Sequence, residues 1–276
     1  MKQLFRIAIW PMLLFFASCE DTIDVKVNNS EGILVVEGWL TNKRDTQYVK
    51  LYTTKSLSDG ETYPPVSGAE VVLHDDLNHQ EKLQEVSPGS YAITAIKGMV
   101  GATYTLTIKT AVGDYEAVST MPRPGFLPDS LSFNYKGGSA SVDQTGYYPF
   151  LSGQEVEGQG DYFQVRIYRN NEFLNHTGDL NIFSDKYIDG YYLKDIQLHI
   201  DSPFVKGDVV KAEVWSLNED AYYFWTDIKS QLQNDQIFAS PLTNPRNNIR
   251  KLTSESKEVT GFFGTSIVWS LQRTVR

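Results

Sequence analysis

Four histidines, one cysteine and thirty-four carboxylates are what this 276-residue chain offers for nucleophilic, acid–base or metal chemistry. His74 and His79 flank Asp75 and Asp76, a set that can ligate a metal. The same Asp75-Asp76-Leu77-Asn78 run is what a hairpin loop selects for backbone reasons, and we read it as a turn. Asp143, Glu155, Glu157 and Asp161 fall among glycines, but without the spacing of a calcium-binding loop. His176 and His199 stand apart from the other two. No Gly-x-Ser-x-Gly elbow, His-Glu-x-x-His pair or phosphate loop is present. Two carboxylates can still act as acid and base if the fold brings them together, which spacing alone does not reveal. The expectation is therefore a non-enzyme with no catalytic residue, no cofactor and no metal.

Cys19 is the one side chain with a specific chemical reading. Lys2 and Arg6 precede an unbroken apolar run of about eleven residues, Ile7 to Ala17, within the length of a secretory h-region and too short to span a bilayer. Ala17 and Ser18, both small, lead straight into Cys19. This resembles the lipobox at which bacteria cleave an exported chain and lipidate the new N-terminal cysteine. Residues 1–18 then read as a signal peptide and 19–30 as a lipidated tether. Each buried CH2 contributes roughly 0.8 kcal/mol, so three acyl chains make attachment effectively permanent. A lone cysteine consumed by lipid leaves no thiol for a disulfide, a thiolate nucleophile or a zinc site.

The elements that must position any site read as strands. At 41% hydrophobic and 21% charged the composition is that of a folded protein, and 13% aromatic residues, sixteen of them Tyr, favour β structure. A net charge of −9 argues against nucleic acid or anionic lipid headgroups as partners. Ile33 to Leu40 is a nearly continuous apolar run, as in a strand buried on both faces. Val49, Leu51 and Thr53 alternate with Tyr48, Lys50 and Tyr52, and Tyr104, Leu106 and Ile108 alternate with threonines. Short strands at this spacing predict a first β-sandwich over 31–121, immunoglobulin-like or transthyretin-like. Three prolines in Met121 to Pro128 predict a stiff linker over 122–128.

A second β-sandwich is expected over 129–276. Phe163, Val165 and Ile167 point one way in its clearest strand, and Gln164, Arg166 and Tyr168 the other. The period then changes: Ala221, Phe224, Trp225, Ile228 and Leu232 share one face of an amphipathic helix near 219–234, capped by Asn218. Gly137 to Gly160 and Asp179 to Tyr192 show little regular pattern. Their tyrosines, Tyr147, Tyr148, Tyr187, Tyr191 and Tyr192, are the candidate contacts for a ligand or partner. Trp39, Trp215, Trp225 and Trp269 read as core.

Ordered sequence blocks carry a family resemblance. They are Ser18-Cys19-Glu20, Leu34 to Thr41, Pro65 to Val71, Val100 to Leu106, Ser119 to Pro122, Pro128 to Leu131, Asn244 to Ile249 and Gly261 to Gly264. In this order they resemble the Bacteroidota lipoproteins grouped as domain of unknown function 4249. Arg250 to Thr260 departs from that pattern, being longer and more charged than the small connector expected there. The resemblance implies an outer-membrane lipoprotein encoded beside a TonB-dependent receptor, and it assigns no catalytic residue. Asp21-Thr22-Ile23 and Asp129-Ser130-Leu131 also resemble the sites at which Bacteroidota attach O-glycans, making Thr22 and Ser130 candidate acceptors in predicted linkers. The expected role is an accessory of a nutrient-uptake complex, held at the membrane through Cys19, without nucleic acid. A glycan- or peptide-binding lipoprotein acting without a receptor, and a hydrolase with an unrecognised carboxylate site, remain the alternatives.

Overall fold

The computed structural model describes residues 32–55, 62–137, 144–233 and 243–276. Cys19 and Thr22 lie outside them. The apolar run noted above becomes β1 (Leu34–Thr41), an interior strand flanked on both sides. It pairs antiparallel with β2 (Gln47–Thr53), which continues through β6 (Ser90–Ile93) to β5 (Gln84–Ser87). The facing sheet contains β3 (Glu70–Asp75), β4 (Gln80–Lys82), β7 (Thr103–Thr110) and β8 (Gly113–Thr120). Between them lies a core that includes Leu34, Val36, Leu51, Leu73, Tyr104, Leu106 and Tyr115.

The second sandwich begins earlier than expected. β9 (Phe126–Lys136) and β10 (Gly146–Glu155) pair along their length, and β14 (Tyr192–Gln197) completes a three-stranded sheet. β11 (Tyr162–Arg169) and β15 (Val209–Leu217) centre the opposite sheet, joined by β12 (Glu172–Phe173), β13 (Asn181–Ser184) and β18 (Val268–Thr274). Phe126, Leu131, Leu151, Phe163, Val165, Phe204 and Val214 are buried between the two sheets. The protein is thus mainly β in a sandwich arrangement. It carries one α-helix among the described residues, α1 (Glu219–Leu232), and none there is long and apolar enough to cross a membrane. Asn218 caps α1 by accepting from the Ala221 N–H at 2.9 Å, with Glu219 and Asp220 in the first turn.

Three sequence expectations change. Phe126 to Pro128, assigned to the linker, opens β9, so Asp129-Ser130 sits in a strand rather than a linker. β9 is an edge strand, where a proline need not break a ladder. Tyr147 and Tyr148, assigned to an irregular stretch, lie in β10. Pro149 and a bulge at Ser152/Gly153 hide the alternation there. Pro149 falls just past the end of the β14 pairing, which begins at Phe150, and before the Tyr147–Phe204 bridge.

The C-terminal segment is the third change. Residues 129–276 do not all belong to the second sandwich. β16 (Ile249–Lys251) pairs with β8, and β17 (Val259–Ser266) runs parallel to β1 from Leu34↔Val259 to Thr41↔Ser266. Ile249, Phe263 and Ile267 are members of the first core. The chain then crosses at Ile267 into β18 of the second sandwich. Ser216 pins that crossing: its N–H donates to the Ile267 carbonyl at 3.0 Å, and its Oγ accepts from the Ile267 N–H at 2.9 Å. A parallel pair needs a long connection between its strands, so nothing local in the sequence signals it.

Candidate functional site

The seam created by β17 is where the sandwiches share side chains. Trp39 points from β1 onto Phe262 of β17 at 5.9 Å between ring centres, and onto Trp225 of α1 at 6.3 Å, both stacked. Trp215 of β15 meets Trp39 edge-on at 5.9 Å. Phe224 stacks on Phe262 at 4.7 Å. Gly264 makes the first of these contacts feasible, because a Cβ there would lie 2.3 Å from the Trp39 ring. Each aromatic pair contributes about 0.5–1.5 kcal/mol beyond its buried area.

Trp39, Phe224, Trp225 and Phe262 wall a groove of about 510 Å³ lined by β1, β2, β11, β12, α1, β17 and Asn244-Pro245. Arg166 of β11 is its one cation among the described lining residues. The guanidinium carbon lies 3.7 Å from the Trp215 ring centre, 5.5 Å from Trp39, 5.6 Å from Trp225 and 6.0 Å from Phe173. Cation–π attraction of about 0.5–2 kcal/mol per ring offsets part of its desolvation. Burial lowers its pKa to about 10, so it stays protonated at neutral pH. Among the described residues its one hydrogen bond is from Nε to Gln164 Oε1 at 3.0 Å. A guanidinium carries five N–H donors, which leaves four for a ligand or water.

Three further polar groups stand on the wall. Glu37 of β1 is exposed beside Tyr52 of β2. Burial, followed by the negative charge of Glu37, pushes the Tyr52 hydroxyl up to about 12, so it remains a donor. The indole nitrogen of Trp225 is buried without a hydrogen-bond partner among the described residues. Behind Trp215, Glu213 is 2% exposed and accepts from Lys43 at 2.6 Å and Trp215 Nε1 at 3.0 Å; Lys211 lies 2.9 Å away. Burial alone would raise its pKa, but the hydrogen bonds from Lys43 and Lys211 hold it at about 2. Glu213 thereby fixes the Trp215 ring on which Arg166 rests and ties β15 to Lys43 of the first sandwich.

None of the tyrosines singled out from the sequence lines this groove. Tyr147 packs on Tyr135 at 5.2 Å, and Tyr148 lies beneath Lys136 at 4.9 Å. Tyr187, Tyr191 and Tyr192 are 83%, 66% and 52% exposed around the β13–β14 connection. The Tyr192 hydroxyl donates to Asp129 at 3.2 Å, beside half-buried Ser130. Of the four tryptophans read as core, Trp215 is buried, Trp39 and Trp225 are half-buried in the groove, and Trp269 is 49% exposed. At the hairpin, Asp75 accepts from Leu77 and His79 backbone N–H groups at 2.9 and 2.8 Å, the bonding of a turn.

The groove residues were missed as a set, although their signals are visible singly. Arg166 stands on the polar face of β11 between Gln164 and Tyr168, and Phe224 and Trp225 share the apolar face of α1. No curated protein matches the chain. Among solved structures, a biofilm-associated protein BSP domain is 13% identical over 67% of this chain and 27% of its own, with a TM-score of 0.22. A segment of two fibronectin type-III domains from chicken tenascin is 13% identical over 69% and 92%, with a TM-score of 0.19. Neither likeness is close enough to bear on function. The model of one family, described as Domain of unknown function (DUF4249), matches residues 20–271, and the chain belongs to that family.

Proposed function

We propose that this protein is a non-catalytic lipoprotein of the outer membrane, anchored through Cys19, that serves as a binding or assembly accessory of a TonB-dependent nutrient-uptake complex. The observation that carries the binding role is the aromatic groove with Arg166 on its wall. Its described lining offers flat apolar surface for stacking and one cation with unused donors. That chemistry suits a segment or small ligand bearing a carboxylate on an apolar or planar body. Tethering strengthens even a modest contact, because confinement to one membrane raises the effective concentration of the partner. The exposed tyrosines of the β13–β14 connection supply a second surface, to meet the receptor or its ligand.

Affinity purification of the native lipoprotein from detergent-solubilised membranes tests this reading. Co-purification of a TonB-dependent barrel with the wild type, reduced with Phe173→Ala, is the expected result. Phe173 is 38% exposed at the groove, so its truncation leaves the fold intact. Repeated isolation as a lone monomer that hydrolyses members of a glycan or peptide panel would overturn it.

A further inference from the structure

Three acidic residues from the ends of three strands converge at one end of the second sandwich. Glu155 closes β10, Asp161 precedes β11 and Asp185 follows β13. They are 0%, 8% and 3% exposed, and one carboxylate oxygen from each lies within 4.8 Å of the others. Two oxygens that share a calcium ion, each at about 2.4 Å, are at most about 4.8 Å apart, so this spacing suits a common cation. The donor set is oxygen only, which is the preference of a hard divalent ion.

Most of the carboxylate oxygens already have work. Asp161 accepts from Arg123 through Nε at 3.1 Å and Nη2 at 2.7 Å. Asp185 Oδ2 accepts from the Gly160 and Asp161 N–H groups at 2.7 and 2.9 Å. Glu155 Oε2 accepts from the Gly190 N–H. Glu155 Oε1 is sealed from solvent, has no hydrogen-bond partner among the described residues, and belongs to a fully buried side chain. A buried carboxylate oxygen without a donor is costly, the more so beside two other carboxylates. Among the described residues Arg123 is the one cation that bonds the cluster, and it is already committed to Asp161 and to the Val156, Glu157 and Gly158 carbonyls. Asp189, whose Oδ1 accepts from the Gly158 N–H at 2.7 Å, adds further negative charge nearby. Positive charge is what this pocket lacks.

We propose that Glu155, Asp161 and Asp185 form a calcium site that locks the β13–β14 connection onto the end of β10. The site joins the segment that carries the exposed tyrosines to the rigid sheet. The Glu155 N–H donates to the Tyr191 carbonyl at 3.0 Å and the Glu155 carboxylate holds Gly190, so an ion on Glu155 sets the position of both. With Asp161 shared by Arg123, affinity falls toward the weaker range of extracellular calcium modules, on the order of 10⁻⁴–10⁻³ M. Calcium at extracellular concentrations then orders this surface, independently of the ligand of the aromatic groove.

The test uses the full chain in detergent, stripped with chelator and titrated with CaCl2, with KCl at matched ionic strength as the control. Calcium at about a hundred times its dissociation constant should raise the Tm by several degrees and slow tryptic cleavage after Lys186. Glu155→Gln should lose both responses and, without calcium, be at least as stable as the wild type, because it relieves like-charge repulsion. A titration calorimetry isotherm on the wild type serves as a second readout should the variant fold poorly. A stripped wild type with no heat of binding, no Tm shift and unchanged cleavage at Lys186 would overturn the site and identify Glu155 as a buried neutral acid.

Discussion

Glu213→Gln probes whether the charge cluster behind Trp215 holds the two sandwiches together. The folded pKa of Glu213 is about 2 against an ordinary value of 4.5. At about 1.36 kcal/mol per pKa unit, that depression corresponds to about 3 kcal/mol in favour of the charged, folded form. Lys43 and Lys211 are 32% and 29% exposed, so solvent screening reduces the expected effect to about 2 kcal/mol. Because the folded pKa lies below the unfolded one, this contribution is complete above about pH 5 and is lost as the pH falls from 4.5 toward 2. Glutamine keeps an acceptor for the Trp215 and Tyr168 donors while removing the charge that Lys43 and Lys211 face. Urea unfolding of both proteins at pH 7, 5, 4 and 3 should show a gap of about 2 kcal/mol that holds to pH 5 and then narrows. Other carboxylates titrate equally in both proteins and cancel in the difference. A gap below about 0.5 kcal/mol at pH 7, or one of equal size at pH 7 and pH 3, would refute the reasoning.

Gly264→Ala places a methyl 2.3 Å from the Trp39 ring, so it should cost about 1–3 kcal/mol and shift the tryptophan emission as the Trp39–Phe262 stack opens. An unchanged Tm and spectrum would mean that Gly264 is not what seats Trp39. Asn218→Ala removes the cap of α1 and should cost about 1 kcal/mol, read by chemical denaturation. Cys19→Ala should release the protein from the membrane fraction; retention there would dismiss the lipid anchor. An intact mass of the native protein equal to that of the lipidated polypeptide alone would exclude glycans on Thr22 and Ser130.

The fold class, the strands with clean alternation and the helix are legible in the order of the amino acids alone. Those signals are local: a period of two in Thr103 to Thr110, a period of 3.6 in Ala221 to Ile228, and an asparagine where a helix must begin. The ordered blocks from Ser18 to Gly264 also placed the chain in its family, because residue identity in order needs no geometry. The groove and the acidic cluster were not legible as sets for the opposite reason, although Glu155 and Asp161 stand among the candidate cation ligands of the sequence. β17 returns from residue 259 to pair with β1 at residue 34, and only that parallel pairing carries Phe262 and Gly264 to Trp39. Arg166 reads as one polar residue on a strand until tertiary packing surrounds it with rings from β1, β12, β15 and α1. Glu155, Asp161 and Asp185 stand on the ends of three different strands, and no spacing along the chain encodes that these ends meet. Hydrophobic periodicity reports which face of an element is buried, whereas a site assembled from several elements depends on where each face is finally set down.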